Sequence, residues 1–271
     1  MKIIRIKQFE DLLEEIDRTK EPFALLAGGT DIMPEVNEGL FRKQTVYDLS
    51  PFENELHFVE VSKNEIEIGS LVSLAEIASN TTVIEKIPQL VEAILSIGSR
   101  QIRNMGTLAG NIANASPVAD SAPVLLTTEA VVNVVSLNGS REISIDDFFV
   151  DYKKTSLNGN EIIRSISVPF NSVSGKYGFR KVASQQEAIS KITFAYAIDA
   201  KSVRFASGGA TKFPVRLLNV EHNWGQKQSV EEWEKVLSKD ISPISDLRST
   251  VEYRKKVLAN IISELALSSP E

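Results

Sequence analysis

Residues 101–120, QIRNMGTLAGNIANASPVAD, are mostly small residues and amides with almost no apolar periodicity. Glycine has no Cβ atom, so its backbone can approach a ligand closely, and successive N–H groups in a turn form a concave anion site. A shorter stretch of the same kind, LLAGGTD at residues 25–31, follows an apolar segment. We therefore predict that residues 25–31 and 106–111 are two loops that hold one anion.

Thr30 and Thr107 add a hydroxyl group to each of these predicted loops. A pyrophosphate bridged between the loops would use the backbone N–H groups and both hydroxyls without requiring Lys or Arg. A single GGT turn is equally compatible with a tight turn that has no ligand. The sequence contains neither G-x-G-x-x-G nor G-x-x-x-x-G-K-[ST], so neither a Rossmann dinucleotide site nor a P-loop is predicted.

The composition is that of a folded protein and excludes several kinds of chemistry. The chain has 271 residues, 42% of them hydrophobic, which is enough to bury two or three compact cores. Its formal charge of -6 and the lack of a basic cluster disfavour nucleic acid as a partner. Because there is no cysteine, the chain cannot supply a disulfide, a thiolate nucleophile or the usual ligands of an iron–sulfur cluster.

Histidine chemistry and membrane insertion are also disfavoured. His57 and His222 lack a neighbouring acid at metal-ligand spacing, so we interpret both as surface or packing residues. Charges interrupt the apolar residues of MKIIRIKQFE, and no apolar run approaches the ~20 residues that span a bilayer. We expect a cytoplasmic protein with no metal site of its own and no membrane span.

The apolar periodicity predicts an α+β architecture for the first part of the chain. A helix at residues 7–18 lies between the strand segments IIRI and FALLAG, which is a β-α-β opening. A capping box, Ser73 with Glu76, and Pro88 each predict the start of a helix. Further strands are predicted at TVYDLS, EIEIGSLVS, AVVNVVSL, REISI and IIRSISVPF, with a hairpin turn at Asn138 and Gly139.

A second α+β unit is predicted after a polar run at residues 171–175. Three strands, YGFRKVAS, ISKITFAYAI and SVRFASGGA, precede helices at roughly 229–238 and 246–267, the first of them with Ser229 and Glu232 as a capping box. We interpret Trp224 and Trp233 as core residues of this unit. The YRKK segment at 253–256 is interpreted as a solvated face of the last helix.

AGGTD at 27–31, IGSLVSLAEI and then residues 101–120 form an ordered set of motifs that resembles the FAD-binding subunits of the molybdenum hydroxylases, the xanthine dehydrogenase and carbon monoxide dehydrogenase group. The resemblance covers most of the chain, including FRKVAS. It implies a FAD-binding region at residues 1–170 of the vanillyl-alcohol oxidase (PCMH) type, with subdomains of about 1–55 and 56–170. It also implies a C-terminal α+β domain at 176–271, with a three-stranded antiparallel sheet and helices.

The resemblance further implies which residues contact FAD. The two glycine loops would hold the pyrophosphate and the ribityl chain, and Asp120 would accept a hydrogen bond from the cofactor's hydroxyls. Ile97 would lie near the flavin ring, with Ile163 and Lys181 as further candidates beside it. The full set is Leu25, Leu26, Ala27, Gly28, Gly29, Thr30, Asp31, Ile97, Gly106, Thr107, Ala109, Gly110, Asn111, Asp120, Ile163 and Lys181.

Two positions depart from the family pattern. Ala109 stands where the family usually has glycine, and its methyl group suits the site only if φ stays below zero or Cβ points away from the phosphate. Gln185 and Gln186 stand about where many relatives carry an arginine, which puts in question a positive charge near the flavin or its electron acceptor.

The function implied by the resemblance is electron transfer. FAD would receive electrons from iron–sulfur clusters on a small partner subunit and pass them to NAD or another acceptor, while a large molybdopterin subunit hydroxylates the substrate, with a purine or other N-heterocycle favoured. No residue of this chain then needs to act on the organic substrate. Two alternatives stay open: a free-standing flavin oxidase, although no His or Cys lies near the loops for covalent attachment, and a structural subunit that binds flavin weakly, suggested by Ala109 and the missing arginine.

Overall fold

The computed structural model describes residues 1–172, 174–185, 187–200 and 202–268, whose strands group into an N-terminal, a central and a C-terminal sheet and one two-stranded hairpin. The strands are β1 Lys2–Ile4, β2 Phe23–Leu26, β3 Thr45–Asp48, β4 Val59–Val61, β5 Glu65–Gly69, β6 Val131–Ser136, β7 Gly139–Ser144, β8 Phe149–Asp151, β9 Lys154–Thr155, β10 Ile162–Pro169, β11 Lys176–Val182, β12 Ile192–Ile198, β13 Val203–Gly208 and β14 Val215–Arg216.

The helices lie beside these sheets, and one short 3-10 turn, Ser50–Phe52, precedes α3. They are α1 Phe9–Arg18, α2 Ile32–Asn37, α3 Glu53–Leu56, α4 Leu74–Ser79, α5 Thr81–Lys86, α6 Pro88–Leu95, α7 Arg100–Met105, α8 Leu108–Ala113, α9 Ala122–Thr127, α10 Ile145–Phe148, α11 Leu218–His222, α12 Val230–Leu237 and α13 Val251–Leu267.

The N-terminal sheet is parallel, in the order β1-β3-β2. The helix predicted at residues 7–18 forms as α1, because Phe9, Leu12, Leu13 and Ile16 repeat at helical spacing and are buried together. β1 and β2 do not pair with each other, since β3 lies between them and pairs with both. Because the three strands are parallel, their carboxyl ends lie at the same edge of the sheet, and the first glycine loop begins there at the end of β2.

The central sheet is antiparallel, in the order β4-β5-β10-β6-β7. Alternate residues of β5, β6 and β10 bury an apolar face that packs with residues of α4, α6, α8 and α9 in one core. The predicted hairpin joins β6 to β7, and Gly139 adopts a φ of +118°, which glycine accepts without strain. The core thus supports the helices that carry the second glycine loop.

The C-terminal sheet is antiparallel, in the order β11-β12-β13-β14. Its three long strands were predicted, and the two-residue strand β14 extends the sheet at its edge. Trp233 is fully buried with Phe194 and Phe205, and Trp224 contacts both Phe205 and Trp233, so both tryptophans belong to the core as predicted. The mixed α+β class predicted from the sequence is confirmed.

The last helix corrects two predictions. It begins at Val251 rather than near residue 246, because Asp246 N–H donates to the Ser249 carbonyl in a turn and the Thr250 hydroxyl caps the helix. Arg254, interpreted as part of a solvated face, is 3% exposed instead. Its guanidinium contacts the Asp246 carboxylate at 2.9 and 3.0 Å and also donates to the carbonyls of Lys191 and Gly209.

No helix in the described ranges is both long enough and apolar enough to cross a bilayer.

Arg254→Met is expected to lower the free energy of unfolding by about 3 kcal/mol, because it leaves a carboxylate and two carbonyls without their buried donor. Urea unfolding followed by circular dichroism measures this change. Lys256→Met, on the exposed side of the same helix, is the matched control and should change the value by less than about 0.5 kcal/mol. Equal effects of the two substitutions would contradict a structural role for the Arg254 contacts.

Candidate cofactor site

The first glycine loop follows β2 and leads into α2. Gly29 has a φ of +71°, a left-handed conformation that favours glycine, and its carbonyl accepts a hydrogen bond from Met33 N–H at 2.9 Å. A Cβ atom on Gly28 would overlap with the carbonyl group of Met105. The first loop therefore needs glycine at both positions, at residue 29 for its turn and at residue 28 for contact with the second loop.

The second glycine segment is less open than the sequence predicts. We expected residues 106–111 to be a loop, but only Gly106 and Thr107 lie outside α7 and α8. The Thr107 hydroxyl oxygen accepts a hydrogen bond from Gly110 N–H at 3.0 Å and so caps α8. Burial of Leu108 and Ile112 in the central core stabilises this short helix despite its small residues.

Hydrogen bonds tie each of the two segments to a neighbouring helix. Leu74 N–H donates to the Gly106 carbonyl at 2.8 Å, which joins the start of α4 to the second segment. Asn114 Nδ2, just after α8, donates to Asp31 Oδ1 at 2.7 Å. Residues of both segments therefore meet along one seam, with the Thr30 hydroxyl against Gly106.

A groove of about 1210 Å³ runs along this seam. It exceeds the ~300–1,000 Å³ that is usual for small-ligand sites, so its size suits an extended ligand. Eleven of the sixteen candidate residues line it: Leu25, Ala27, Gly28, Gly29, Thr30, Asp31, Ile97, Gly106, Thr107, Gly110 and Asn111. The groove therefore combines bare backbone, two hydroxyls and an apolar side chain, which fits a dinucleotide with a pyrophosphate centre.

Two family models match the chain, one on each side of residues 172–176. Residues 1–171 match the FAD binding domain in molybdopterin dehydrogenase, and residues 177–268 match the CO dehydrogenase flavoprotein C-terminal domain. The chain belongs to the FAD-binding subunits of the molybdenum hydroxylases. FAD is thus the cofactor of this domain, and the chain corresponds to the subunit that its relatives' names call the medium chain or FAD-subunit.

Relatives of known name match nearly the whole chain. The glyceraldehyde dehydrogenase medium chain of Sulfolobus acidocaldarius is 33% identical over 256 residues, which cover 91% of this chain and 89% of that one. The nicotinate dehydrogenase FAD-subunit of Eubacterium barkeri is 28% identical and covers 90% and 87%. The carbon monoxide dehydrogenase structure from Hydrogenophaga pseudoflava shares the fold, with a TM-score of 0.89, 21% identity and coverage of 97% and 95%.

Five candidate residues of this medium subunit do not line the groove: Leu26, Ala109, Asp120, Ile163 and Lys181. Ile163 lies in β10, where it pairs with Val134 and is buried in the central core. Ala109 lies inside α8 without a positive φ, and its methyl group is also in that core. Residue 109 therefore has no positive φ, as a methyl group there requires, and its Cβ does not fill the cofactor groove.

Asp120 and Lys181 form a buried pair behind the groove, with side chains 8% and 10% exposed. Lys181 Nζ donates to Asp120 Oδ2 at 3.0 Å and to the Ser96 carbonyl at 2.6 Å, and the hydroxyls of Ser190 and Ser96 donate to the carboxylate at 2.6 and 3.2 Å. Burial raises the pKa of Asp120, opposed by the Ser190 hydrogen bond and the Lys181 charge. A carboxylate has about four lone-pair positions, so one further donor can be accepted, and the contact of Asp120 with the cofactor's hydroxyls stays a prediction.

Gln185 and Gln186 are the two residues at the position where the family pattern favours arginine. Gln185 is exposed and does not line the groove. Gln186 lies outside the described residues. Within the described part of the chain, no group of three or more His, Asp or Glu side chains is arranged to hold a metal ion.

One wall of the groove, at residues 159–160, is not predicted from the sequence. Gly159 and Asn160 line the groove, and Asn160 Nδ2 donates to Asp17 Oδ1 at 2.8 Å on α1. Glu161 fixes this wall, because its carboxylate accepts from Asn158 N–H at 2.7 Å and from Arg141 at 2.7 and 2.9 Å. These partners are distant in sequence, so no local motif predicts them.

Glu161→Gln is expected to lower the free energy of unfolding at pH 7 by about 2 kcal/mol. The hydrogen bonds from Arg141, opposed by partial burial, lower the pKa of Glu161 from 4.5 to about 2. The Arg141 side chain is 43% exposed, so solvent screens the pair and the loss of stability is smaller than the whole pKa shift would give.

The lowered pKa of Glu161 also determines how its contribution to stability depends on pH. A lowered folded-state pKa stabilises the protein above pH 4.5, and this contribution is lost as the pH falls from 4.5 toward 2. In urea titrations, the difference between wild type and Glu161→Gln should therefore shrink over this range. The exposed Glu142→Gln on β7 is the control, and a difference that stays constant down to pH 2 would contradict the assignment.

Proposed function

We propose that this medium subunit transfers electrons from iron–sulfur clusters of a partner subunit through FAD to NAD or another acceptor. The observation that carries the proposal is the backbone contact of Gly28 with Met105, which brings two glycine segments into one groove. Such a groove presents N–H groups and hydroxyls to a phosphate while the rest of the ligand lies along its walls. Contacts of this kind bind and orient a cofactor and do not act on an organic substrate.

Each group in the groove has a role in this proposal. Gly28 makes room for the Met105 carbonyl and Gly106 for the Thr30 hydroxyl, so that the two segments lie close enough to hold one pyrophosphate between them. The hydroxyls of Thr30 and Thr107 donate to the same phosphates, since capping uses only an acceptor position of Thr107. Ile97, in the groove wall next to Ser96, provides an apolar surface for the flavin ring.

When bound, FAD supplies redox chemistry that can connect one-electron carriers with a two-electron acceptor. The chain contains no cysteine, so the iron–sulfur clusters in this proposal belong to a small partner subunit and the molybdopterin to a large one. The hydrogen bond between Asp31 and Asn114 would keep the two glycine segments in place around the cofactor.

In this proposal the organic substrate binds to the large partner subunit and not to this chain. We propose a purine or another N-heterocycle, which the names of the nicotinate dehydrogenase and xanthine dehydrogenase relatives support, whereas the glyceraldehyde dehydrogenase relative is named for an aldehyde. The division into subdomains near residue 55 and a C-terminal domain from residue 176 is also proposed, supported by the positions of the three sheets and the ranges of the two family matches. A cytoplasmic location remains a prediction from the sequence.

Gly28→Ala is expected to lose at least 10-fold in FAD affinity, because its methyl group would overlap with the Met105 carbonyl and separate the two glycine segments. The absorbance of the purified chain near the flavin bands, and the flavin released on denaturation, measure the occupancy. Wild type should be yellow. A wild-type chain that stays colourless and takes up no added FAD would refute the proposal and favour a structural subunit.

The matched control is Gly159→Ala. Gly159 lines the same groove, but a Cβ atom there would meet no atom within 4 Å. Its FAD affinity and circular dichroism should equal those of wild type. Loss of FAD in both variants, or in neither, would argue against the loop contact as the basis of binding.

Isolation of the native complex tests the electron-transfer part of the proposal. The chain should co-purify with subunits that contain iron and molybdenum, and its flavin absorbance should bleach when the substrate of the complex is added and recover when NAD is added. If the flavin absorbance recovers only with another oxidant, that oxidant and not NAD is the acceptor. Turnover of an organic substrate by the isolated chain would favour a free-standing flavin oxidase.

A further inference from the structure

A small hairpin reaches the cofactor groove from the central unit. It consists of β8 and β9 and turns through Tyr152 and Lys153. Its base is fixed, because Phe149 is buried edge-to-face against Phe148, with ring centroids 5.2 Å apart. Ser156 N–H also donates to the Phe148 carbonyl at 2.9 Å. The turn is therefore held in place by core residues, and Lys153 at its end lines the groove.

The backbone at Lys153 is unusual for a residue with a long side chain. Its φ is +50°, in the left-handed region that glycine adopts far more readily than other residues. Asp151 Oδ1 accepts a hydrogen bond from Tyr152 N–H at 2.8 Å and fixes the turn just before it. A glycine would suit this backbone, so the conformation of the turn does not itself require a lysine at this position.

The charge of Lys153 acts on the seam between the two glycine segments. Burial raises the pKa of Asp31, and the nearby charge of Lys153 opposes that rise. Asp31 follows Thr30 directly and is hydrogen-bonded to Asn114, so this charge lies beside both segments. Three other cations line the groove, Lys20, Arg42 and Lys43. Arg42 donates to the carbonyl of Gly39 in its own loop, whereas Lys153 is the cation whose charge opposes the rise in the pKa of Asp31.

We propose that Lys153 is a phosphate-binding residue of the FAD site, which acts beside the two glycine segments. This inference rests on the proposed function. The glycine segments offer neutral N–H and hydroxyl donors, whereas the pyrophosphate of FAD carries negative charge. An ammonium group is a compact cation suited to a phosphate, and a charge-assisted hydrogen bond is stronger than a neutral one. Lys153 therefore supplies the positive charge that the sequence motifs lack.

The test compares Lys153→Gln with Lys154→Gln in the full chain. Lys154 is the neighbouring residue on the same hairpin and does not line the groove, so it is a matched control. Equilibrium titration with FAD, followed by quenching of flavin fluorescence, should show about 10-fold weaker binding for Lys153→Gln only. The affinity of this variant should also depend less on salt between 50 and 200 mM, as roughly expected for the loss of one charged contact.

Two further probes separate the phosphate from the flavin ring. ADP, which contains the pyrophosphate, should compete with FAD about 10-fold less well in Lys153→Gln than in wild type, while riboflavin should bind both equally. Lys153→Gly should weaken FAD in the same way without lowering the melting temperature, because glycine suits the backbone there. This last variant separates loss of the charge from damage to the fold.

The outcomes distinguish this inference from the proposed function. If wild type binds FAD and Lys153→Gln matches Lys154→Gln in affinity and salt dependence, the role of Lys153 is refuted and the proposed function stands. Equal weakening of riboflavin and FAD would also refute it, since the hairpin would then act on the flavin ring or on groove shape. If wild type binds no FAD, the proposed function fails and this inference fails with it.

Discussion

The contact between the backbones of Gly28 and Met105 is the constraint on which the cofactor site depends. It joins a loop at the end of a parallel sheet to a segment carried by helices of an antiparallel sheet. Such a contact is possible only without a side chain at residue 28, and the groove between the two sheets exists because of it. Hydrogen bonds from Leu74 to Gly106 and from Asn114 to Asp31 then fix the segments on either side. The site is therefore a junction between two folding units, and neither unit could form it alone.

Local features of this junction could be predicted from the sequence because they arise within a few residues. Glycine, a hydroxyl and a capping box act on the chain immediately around them, and both capping boxes start helices at the predicted residues. Most of the sixteen residues that the family resemblance names also lie together in the fold, since eleven of them line one groove. The helical state of α8 was not predicted. Its small residues have weak helix signals, and tertiary burial of Leu108 and Ile112 decides their conformation.

Contacts between distant residues could not be predicted. Arg254 reads as one of several charges on a helix, yet its partners Asp246, Lys191 and Gly209 are brought together only by the folded C-terminal unit. Glu161 and Arg141 pair across a loop and a strand in the same way. Lys153 is the sharpest case, because the positive φ of its turn and its position on the groove follow from the packing of a hairpin that has no sequence motif. A sequence motif reflects interactions between residues that are close in the chain, whereas these side chains contact residues that are distant in sequence.

The C-terminal unit contributes to the site through the buried pair of Lys181 and Asp120. Isolated buried charges are costly, but here the carboxylate accepts from Lys181, Ser190 and Ser96, and the ammonium also donates to the Ser96 carbonyl. Lys181 and Ser190 belong to the C-terminal unit, while Ser96 directly precedes Ile97 of the groove wall. The satisfied pair thus ties the position of Ile97 to the docking of the C-terminal unit. A shift of that unit would leave charges unpaired at Asp120, and so the same interaction that holds the two units together also fixes Ile97 in the groove wall.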